Sequence, residues 1–229
     1  MIAKRALDVV VSLIALLVGV PLFVFVAIWI KLDSPGPVFF TQTRVGRYGK
    51  LFRIHKFRSM TVGAESVGPL ITADSDTRVT RCGNFLRRTK LDELPQMFDV
   101  LVGNMSLVGA RPEVPKYVAL YPDHIRDAVL SLRPGITGYA ALIYQRESQL
   151  LSQAIEPEKM YVEEILPAKL TYYYDYALNR NMLMDISIIL NTCSAVLGMS
   201  NTSYLRSKLN TPVSHDHVDE SADRFEVHP

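Results

Sequence analysis

The sequence predicts an α+β, mostly helical fold with a membrane-inserted helix at its amino terminus. Two observations support this prediction. An uncharged apolar run extends from Val9 to Ile30, and after a proline-rich break two short strand-like runs precede a long stretch of helical periodicity. A chain of 229 residues has room for one domain and an anchor. We divide it into a membrane-inserted helix, a compact domain and a disordered tail, at residues 1–33, 34–200 and 207–229.

The apolar run from Val9 to Ile30 would form a helix about 33 Å long, which matches the hydrocarbon thickness of a bilayer. It is too long for a cleaved signal peptide. Pro21 near its middle predicts a kink. Basic residues flank both ends, beginning with Lys4 and Arg5, and a re-entrant helix broken at Pro21 would keep both flanks on the cytoplasmic side. A straight single span is the alternative.

Six basic residues and one acid lie just after the apolar run, which is typical of a flank that faces anionic membrane lipid: Lys31, Arg44, Arg47, Lys50, Arg53 and Lys56, against Asp33. The formal net charge of the whole chain is only +2, and this balance by itself says nothing about nucleic acid. We expect no nucleic-acid partner. Cys82 and Cys193 are far apart and lack metal-ligand spacing, which favours a reduced, cytosolic setting.

The break at 34–37 is followed by a predicted β-hairpin, with strands at Val38–Thr41 and Leu51–Phe57. A loop is predicted over Thr61–Asp76 and a tight turn over Leu132–Gly138. Tyrosine-rich and apolar patterns near the carboxyl end favour amphipathic helices that lie at the membrane interface or pack in a core. The predicted helices are Asn84–Val102, Glu113–Tyr121, Asp123–Leu132, Glu158–Leu178 and Met182–Leu197.

Two adjacent carboxylates, Asp92 and Glu93, follow a pair of arginines at Arg87 and Arg88. Thr89 and Asp92 are spaced as a capping box, or Asp92 is itself a helix cap. In both cases the carboxylates lie near the positive end of a helix, which favours their ionised form and attracts phosphate. The alternative is that both acids only cap the helix and pair with the arginines.

Further cations accompany these acids. Arg111, followed by Pro112, could bind a phosphate through two parallel hydrogen bonds, and Lys56 and Arg58 end a predicted strand. Phosphoryl transfer requires a nucleophile, cations against the phosphate oxygens and, usually, a divalent metal. The sequence therefore contains the residue types that such a site needs.

Five segments together resemble the bacterial sugar transferases of the monotopic polyprenyl-phosphate phosphoglycosyl transferase family: KRALD at 4–8, SPGPVFFTQTRVG at 34–46, KFRSM at 56–60, LRRTKLDELPQMFDVLVGNMSLVGARP at 86–112 and RPGITGYA at 133–140. The pairing of LDELPQ with the glycine-rich run that ends in ARP is highly specific. The resemblance implies a catalytic domain over 34–200 that transfers a sugar-1-phosphate from a UDP-sugar to undecaprenyl phosphate and releases UMP.

By the same resemblance, Asp92 is the nucleophile that forms a covalent sugar-phosphoryl aspartate, and Glu93 assists it. Mg²⁺ is the implied cofactor, with Asp92 and Glu93 as its ligands. Five cations are expected to bind substrate: Arg87, Arg111, Lys56, Arg58 and Arg133. The implied location is the cytoplasmic face of the bacterial inner membrane, in contact with membrane lipid, and the oligomeric state is left open, a homodimer included.

Two other functions are compatible with the sequence. An inert membrane-anchored adaptor of a glycan-assembly complex could keep this fold, although the intact Asp92–Glu93 pair argues against it. A single-pass protein whose basic flank binds anionic lipid is the other. The stretch after Gly138 departs from many relatives, and there we expect the determinants of sugar identity. The sequence identifies neither the sugar nor the glycan pathway.

Overall fold

The structure, a computed structural model, describes residues 2–64 and 76–199. The tail predicted at 207–229 and most of the loop predicted at Thr61–Asp76 lie outside the described residues. Within them the chain is mostly helical and has two sheets of two strands each. The strands are β1 Phe39–Val45, β2 Leu51–Phe57, β3 Ser106–Val108 and β4 Gly135–Thr137. The helices are α1 Ile2–Asp33, α2 Arg81–Arg88, α3 Gln96–Val102, α4 Pro115–Val118, α5 Asp123–Leu130, α6 Tyr139–Ile143, α7 Glu147–Ser152, α8 Pro157–Met160, α9 Leu166–Asn179 and α10 Met182–Val196.

Helix α1 is long and apolar enough to cross a membrane. It runs from Ile2 to Asp33 and continues through Pro21 without leaving the helical conformation, so the predicted break at Pro21 is not confirmed. Proline fixes φ at a value compatible with a helix, and its ring removes only one hydrogen bond of the helical backbone.

Both ends of α1 pack against the same domain. Near its start Asp8 and Ser12 are buried, and near its end Val26 and Ile30 are buried. Residues 13–25 are all described and none of them is buried. The helix therefore contacts the domain at two separate places, and an exposed apolar stretch lies between them.

The predicted β-hairpin is confirmed. Strands β1 and β2 pair antiparallel from Phe39 opposite Phe57 to Val45 opposite Leu51. The connecting turn places Tyr48 at φ 59° and Gly49 at φ +73°, in the left-handed region that glycine adopts readily. Strand β2 has the predicted bounds, whereas β1 extends further along the chain than predicted.

The single helix predicted over Asn84–Val102 is wrong. The chain instead forms α2, a 3₁₀ turn at Leu91–Glu93 and α3. Lys90, at φ 59° and ψ 13°, adopts a left-handed conformation that ends the helical path after α2. The Thr89 hydroxyl donates to the carbonyl of Phe85 at 2.8 Å, so Thr89 belongs to the end of α2 and the predicted capping box does not form.

The predicted tight turn over Leu132–Gly138 contains a strand. Strand β4 pairs parallel with β3, with Ser106 opposite Gly135 and Val108 opposite Thr137. A Cβ on Gly135 would lie 2.0 Å from the backbone nitrogen of Gly109, so this close approach requires glycine. The pairing brings the RPGITG segment beside the glycine-rich run that leads to Arg111.

The predicted carboxyl-terminal helices are confirmed in position. The first of them is divided into α8, a π-helical turn at Tyr161–Ile165 and α9, and the second is α10. Tyr173 and Tyr176 on α9 are buried in the core rather than placed at a surface. On α10 the side chains of Leu183 and Leu190 are exposed, which leaves an apolar surface on that helix.

Candidate active site

Asp92 and Glu93 lie in the 3₁₀ turn between α2 and α3. The left-handed Lys90 turns the chain into this segment, and Pro95 precedes the first residue of α3, Gln96. The prediction that both acids precede the amino end of a helix is therefore confirmed, although neither one caps it. The turn buries the side chain of Asp92, which is 7% exposed.

Glu93 is held by two of the predicted cations. The Lys56 ammonium donates to Glu93 Oε1 at 2.9 Å, and Arg111 donates to Glu93 Oε2 at 3.1 Å and also to Oε1. Lys56 of strand β2 and Arg111, which follows β3 in the chain, thus contact the same carboxylate. The structure therefore brings Lys56, Arg111, Asp92 and Glu93 together, with Glu93 as the anion that both cations contact.

The two acids have opposite pKa shifts. Burial raises the pKa of Asp92, and the charge of Glu93 raises it further, whereas Lys56 and nearby cations oppose the shift. Burial alone would raise the pKa of Glu93 too, but Arg111 and Lys56 hold it well below its usual value. In turn, the charge of Glu93 raises the pKa of Arg111 against the effect of burial. Glu93 is thus a fixed anion, and Asp92 is the acid whose charge is less stabilised.

Two buried groups in this segment have no protein partner among residues 2–64 and 76–199. One is Asp92 Oδ1, and the other is the side-chain amide of Gln96, which lacks a partner on both its oxygen and its nitrogen. Gln96 is 1% exposed. Because an unpaired buried polar atom is costly, such groups are candidates for contact with a ligand.

The remaining predicted residues are dispersed. Arg87, in the last turn of α2, is close enough for its charge to lower the pKa of Asp92. Arg58 is buried and donates to the carbonyls of Pro35 and Ser34, at 2.8 and 2.6 Å, so it fastens the end of α1 to the hairpin. Arg133 Nε donates to the carbonyl of Gly103 at 2.8 Å. The positions of Arg58 and Arg133 give no support to a substrate-binding role beside Asp92.

Sequence reasoning missed the layer of charges behind Arg111. Arg44 lies 3.6 Å from the carboxylate of Glu113, which is buried, and the hydroxyl of Tyr161 donates to that carboxylate at 2.6 Å. Arg44 was predicted to face lipid as part of the basic flank. Its side chain instead contacts the protein interior, and so does that of Lys56. Arg44 lies in strand β1, where successive side chains face opposite sides of the sheet. This alternation was the available signal that Arg44 could face the protein interior.

The donor set fits Mg²⁺ at Asp92 better than at Glu93. Oδ1 of Asp92 has no partner in the described part of the chain, whereas both oxygens of Glu93 accept hydrogen bonds from cations. No group of three His, Cys, Asp or Glu side chains suited to hold a metal occurs among residues 2–64 and 76–199. Mg²⁺ commonly uses one or two carboxylates and completes its coordination with substrate phosphates and water.

The fold joins an apolar helix, long enough to cross a bilayer, to a small α+β domain in which a buried acid lies beside cations. These features are typical of the class of membrane-associated proteins that bind an anionic ligand. Sequence comparison identifies the family. The profile of the family described as bacterial sugar transferase matches residues 1–199, and the chain belongs to that family.

Curated relatives include enzymes of undecaprenyl-phosphate chemistry. The chain is 36% identical, over 85% of its length, to the UDP-N-acetylgalactosamine-undecaprenyl-phosphate N-acetylgalactosaminephosphotransferase of Aeromonas hydrophila. It is 38% identical, over 89% of its length, to the UDP-glucose:undecaprenyl-phosphate glucose-1-phosphate transferase of Xanthomonas campestris pv. campestris. It spans 43% and 40% of those two proteins. The exopolysaccharide production protein PSS of Rhizobium leguminosarum bv. phaseoli is 47% identical over 62% of this chain and 74% of its own length.

Proposed function

We propose that this protein is a phosphoglycosyl transferase, which transfers a sugar-1-phosphate from a UDP-sugar to undecaprenyl phosphate and releases UMP as a membrane step of bacterial glycan biosynthesis. The observation that carries the proposal is the buried Asp92 carboxylate, which lies beside the Lys56–Glu93–Arg111 cluster and whose Oδ1 has no partner among the residues that the structure describes. Family membership and the names of the relatives agree with this reaction.

In the first step the Asp92 carboxylate attacks the phosphorus that adjoins the sugar. The bond from that phosphorus to the bridging oxygen breaks, and UMP leaves with the electron pair. In the second step the phosphate of undecaprenyl phosphate attacks the same phosphorus. The bond to Asp92 breaks, which regenerates the carboxylate and yields the polyprenyl diphosphate sugar. The acyl phosphate at Asp92 conserves the reactivity needed for the second transfer.

The cations have separate roles in this reaction. The Arg87 side chain has no hydrogen-bond or ion-pair partner within residues 2–64 and 76–199, so its guanidinium is available to substrate phosphate. Lys56 and Arg111 each hold Glu93 and keep further N–H groups that can donate to phosphate oxygens. Glu93 fixes the positions of both cations, and this is the assistance that we assign to it.

Mg²⁺ belongs to the same proposal. Asp92 would hold it, and the ion would neutralise charge on the diphosphate of the donor. Glu93 could become a ligand only by giving up a contact to Lys56 or Arg111.

We further propose that α1 is re-entrant and that the domain lies on the cytoplasmic face of the inner membrane. A straight helix of 32 residues is about 48 Å long, so a span perpendicular to the membrane would separate its two ends by more than the bilayer core. Contacts from Arg5 to the carbonyl of Val100, and from Asp33 to the amide of Cys82, instead join both ends to one domain.

A cysteine placed at position 2 tests this topology in a background with Cys193 changed to serine. We expect a membrane-impermeant maleimide to label this cysteine only when the reagent has access to the cytoplasmic side of the membrane. Labelling of intact cells or spheroplasts from outside would overturn the re-entrant proposal in favour of a straight span.

The enzymatic proposal is tested by UMP release from a panel of UDP-sugars, with undecaprenyl phosphate as acceptor. UDP-glucose and UDP-N-acetylgalactosamine lead the panel because the relatives are named for them. Asp92→Asn should lower turnover about 10³-fold or more, because the nucleophile is lost. The matched control Asp127→Asn, at a side chain 80% exposed, should leave turnover unchanged. Undiminished turnover of Asp92→Asn would exclude the covalent mechanism, and no release with any sugar would favour the inert adaptor.

A further inference from the structure

A cavity of about 300 Å³ lies between the start of α1, the hairpin turn, the loop before β4 and the start of α10. None of its lining residues is Asp92, Glu93, Lys56 or Arg111. Five of the side chains that line it are cationic: Lys4, Arg5, Arg47, Arg133 and Arg180. The volume is at the lower end of the range of small-molecule sites, roughly 300–1,000 Å³.

The acids of this cavity are already engaged. Asp8 accepts hydrogen bonds from the amide of Leu107 at 3.0 Å and from the hydroxyl of Ser106 at 3.1 Å. Asp185 accepts from the Lys4 ammonium at 2.8 Å, and from the hydroxyl of Tyr176. Lys4 and Asp185 therefore neutralise each other, and Asp8 is bound to β3.

Three arginines keep unused donors. Within residues 2–64 and 76–199, the side chains of Arg47 and Arg133 each donate only through Nε, to the carbonyls of Ser131 and Gly103, both at 2.8 Å. The Arg180 side chain has no hydrogen-bond or ion-pair partner in the same residues, whereas its backbone amide donates to the carbonyl of Tyr176. Three arginines that line one cavity thus have terminal guanidinium nitrogens without an acceptor among the described residues. Guanidinium groups in this arrangement suit the oxygens of a phosphate, which accept two parallel hydrogen bonds from each group.

The surroundings of the cavity favour a lipid as the source of that phosphate. Ile2 precedes the lining residue Ala3 and is 89% exposed, and Leu183 follows the lining residue Met182 and is 80% exposed. The cavity is also lined by residues from the start of α1, the helix that is apolar enough for a membrane. A basic pocket with apolar side chains at its edge fits an anionic headgroup whose acyl chains remain in the bilayer.

We infer that this cavity binds the phosphate of an anionic phospholipid and thereby fixes the start of α1 and the start of α10 at the membrane surface. The site is separate from the Asp92 cluster and takes no part in the proposed transfer. It rests on membrane association of α1, and its test uses neither a UDP-sugar nor undecaprenyl phosphate, so its failure would leave the proposed function untouched.

The test titrates the full chain, in neutral detergent, with dihexanoyl phosphatidylglycerol, dihexanoyl phosphatidylcholine and inorganic phosphate, by calorimetry. We expect phosphatidylglycerol to bind at least tenfold more tightly than the other two. Arg47→Gln combined with Arg180→Gln should weaken that binding about thirtyfold, since each basic residue near a membrane surface contributes roughly fivefold. The control is Arg126→Gln with Lys159→Gln, which removes the same charge from exposed ion pairs and should change the affinity by less than twofold.

Arg180→Gln alone guards against loss of folding, because the Arg180 side chain makes no hydrogen bond or ion pair with the described part of the chain. This variant should weaken phosphatidylglycerol binding about fivefold with an unchanged Tm. Wild-type affinity in the double variant, or an equal loss in the control, would overturn the site. Inorganic phosphate bound as tightly as phosphatidylglycerol would overturn the lipid as its ligand.

Discussion

Asp92 and Glu93 are neighbours in the chain, yet their surroundings move their pKa values in opposite directions. Glu93 accepts hydrogen bonds from Lys56 and Arg111, whereas Oδ1 of Asp92 has no partner within residues 2–64 and 76–199. An anion without hydrogen bonds is the better nucleophile of the two, because less stabilisation is lost when it attacks. The division of labour between the two acids therefore follows from their contacts rather than from residue type.

The raised pKa of Asp92 has a consequence for the pH dependence of activity. The nucleophile must be ionised, so kcat/KM should fall as the pH drops through a pKa above the ordinary value of 3.8. Glu93→Gln removes the like charge and leaves Lys56 and Arg111 without their anion. Both effects lower the pKa of Asp92, and we expect the acid limb of the profile to move to lower pH.

The measurement is kcat/KM for UMP release as a function of pH, in wild type and Glu93→Gln. The position of the limb is informative even if the variant is slow at every pH. Glu158→Gln serves as control, because Glu158 pairs with Lys116 at the surface, away from Asp92. An acid limb that stays in place or moves upward in Glu93→Gln would contradict the proposed influence of Glu93 on Asp92.

At the residue scale, sequence reasoning selected the two adjacent acids and the cations that lie near them, but it could not assign their partners. Lys56 and Arg58 are two residues apart and have the same charge. Lys56 reaches Glu93, whereas Arg58 lies beyond the end of β2 and is bound by the carbonyls of Ser34 and Pro35. The acceptor that each cation contacts lies far from it in the sequence, so the local sequence does not predict it.

Elements whose signal is local were predictable, and those that depend on distant contacts were not. The hairpin has a glycine-bearing turn between two short apolar runs, so β2 was predicted with its observed bounds. Strands β3 and β4 have three residues each and pair in parallel across a long sequence separation, which leaves no periodic pattern to read. The helix predicted from Asn84 to Val102 has continuous helical periodicity, but Lys90 in a left-handed conformation interrupts it.

The contact between α1 and β3 depends on Asp8. This buried carboxylate accepts from the Leu107 amide and the Ser106 hydroxyl. Asp8→Ala would leave a buried amide without its acceptor, which we expect to cost about 2–3 kcal/mol of unfolding free energy. Asp8→Asn keeps a side-chain oxygen and should cost less.

Thermal unfolding in detergent measures both variants. Val10→Ala is the matched control, since Val10 lies on the same helix with its side chain exposed, and it should leave the Tm nearly unchanged. A Tm of Asp8→Ala equal to that of wild type would mean that this contact does not hold α1 to the domain.

On the scale of the whole molecule, the helix at residues 1–33 and the domain that follows it pack together and are not independent units. Val26 and Ile30 of α1 form one apolar cluster with Phe57, Cys82 and Leu86 of the domain. Arg5 donates to the last carbonyls of α3, and Lys4 bridges to Asp185 near the carboxyl end of the described chain. Helix α1 thus contributes to the core, in addition to any role in the membrane.

A chain that lacks residues 1–33 should therefore fail to form a stable domain. Removing Val26 and Ile30 would expose the apolar cluster around Phe57. Removing Asp8 and Lys4 would leave the Leu107 amide without its acceptor and the buried Asp185 carboxylate without its cation. Each of these losses costs about 1–3 kcal/mol or more, and together they approach the whole stability of a typical domain, about 5–15 kcal/mol.

Hydrogen exchange and thermal unfolding of the shortened chain provide the measurement. We expect rapid exchange in β3 and α3 and no cooperative transition, whereas a soluble, cooperatively folded domain would show that α1 is a separable anchor.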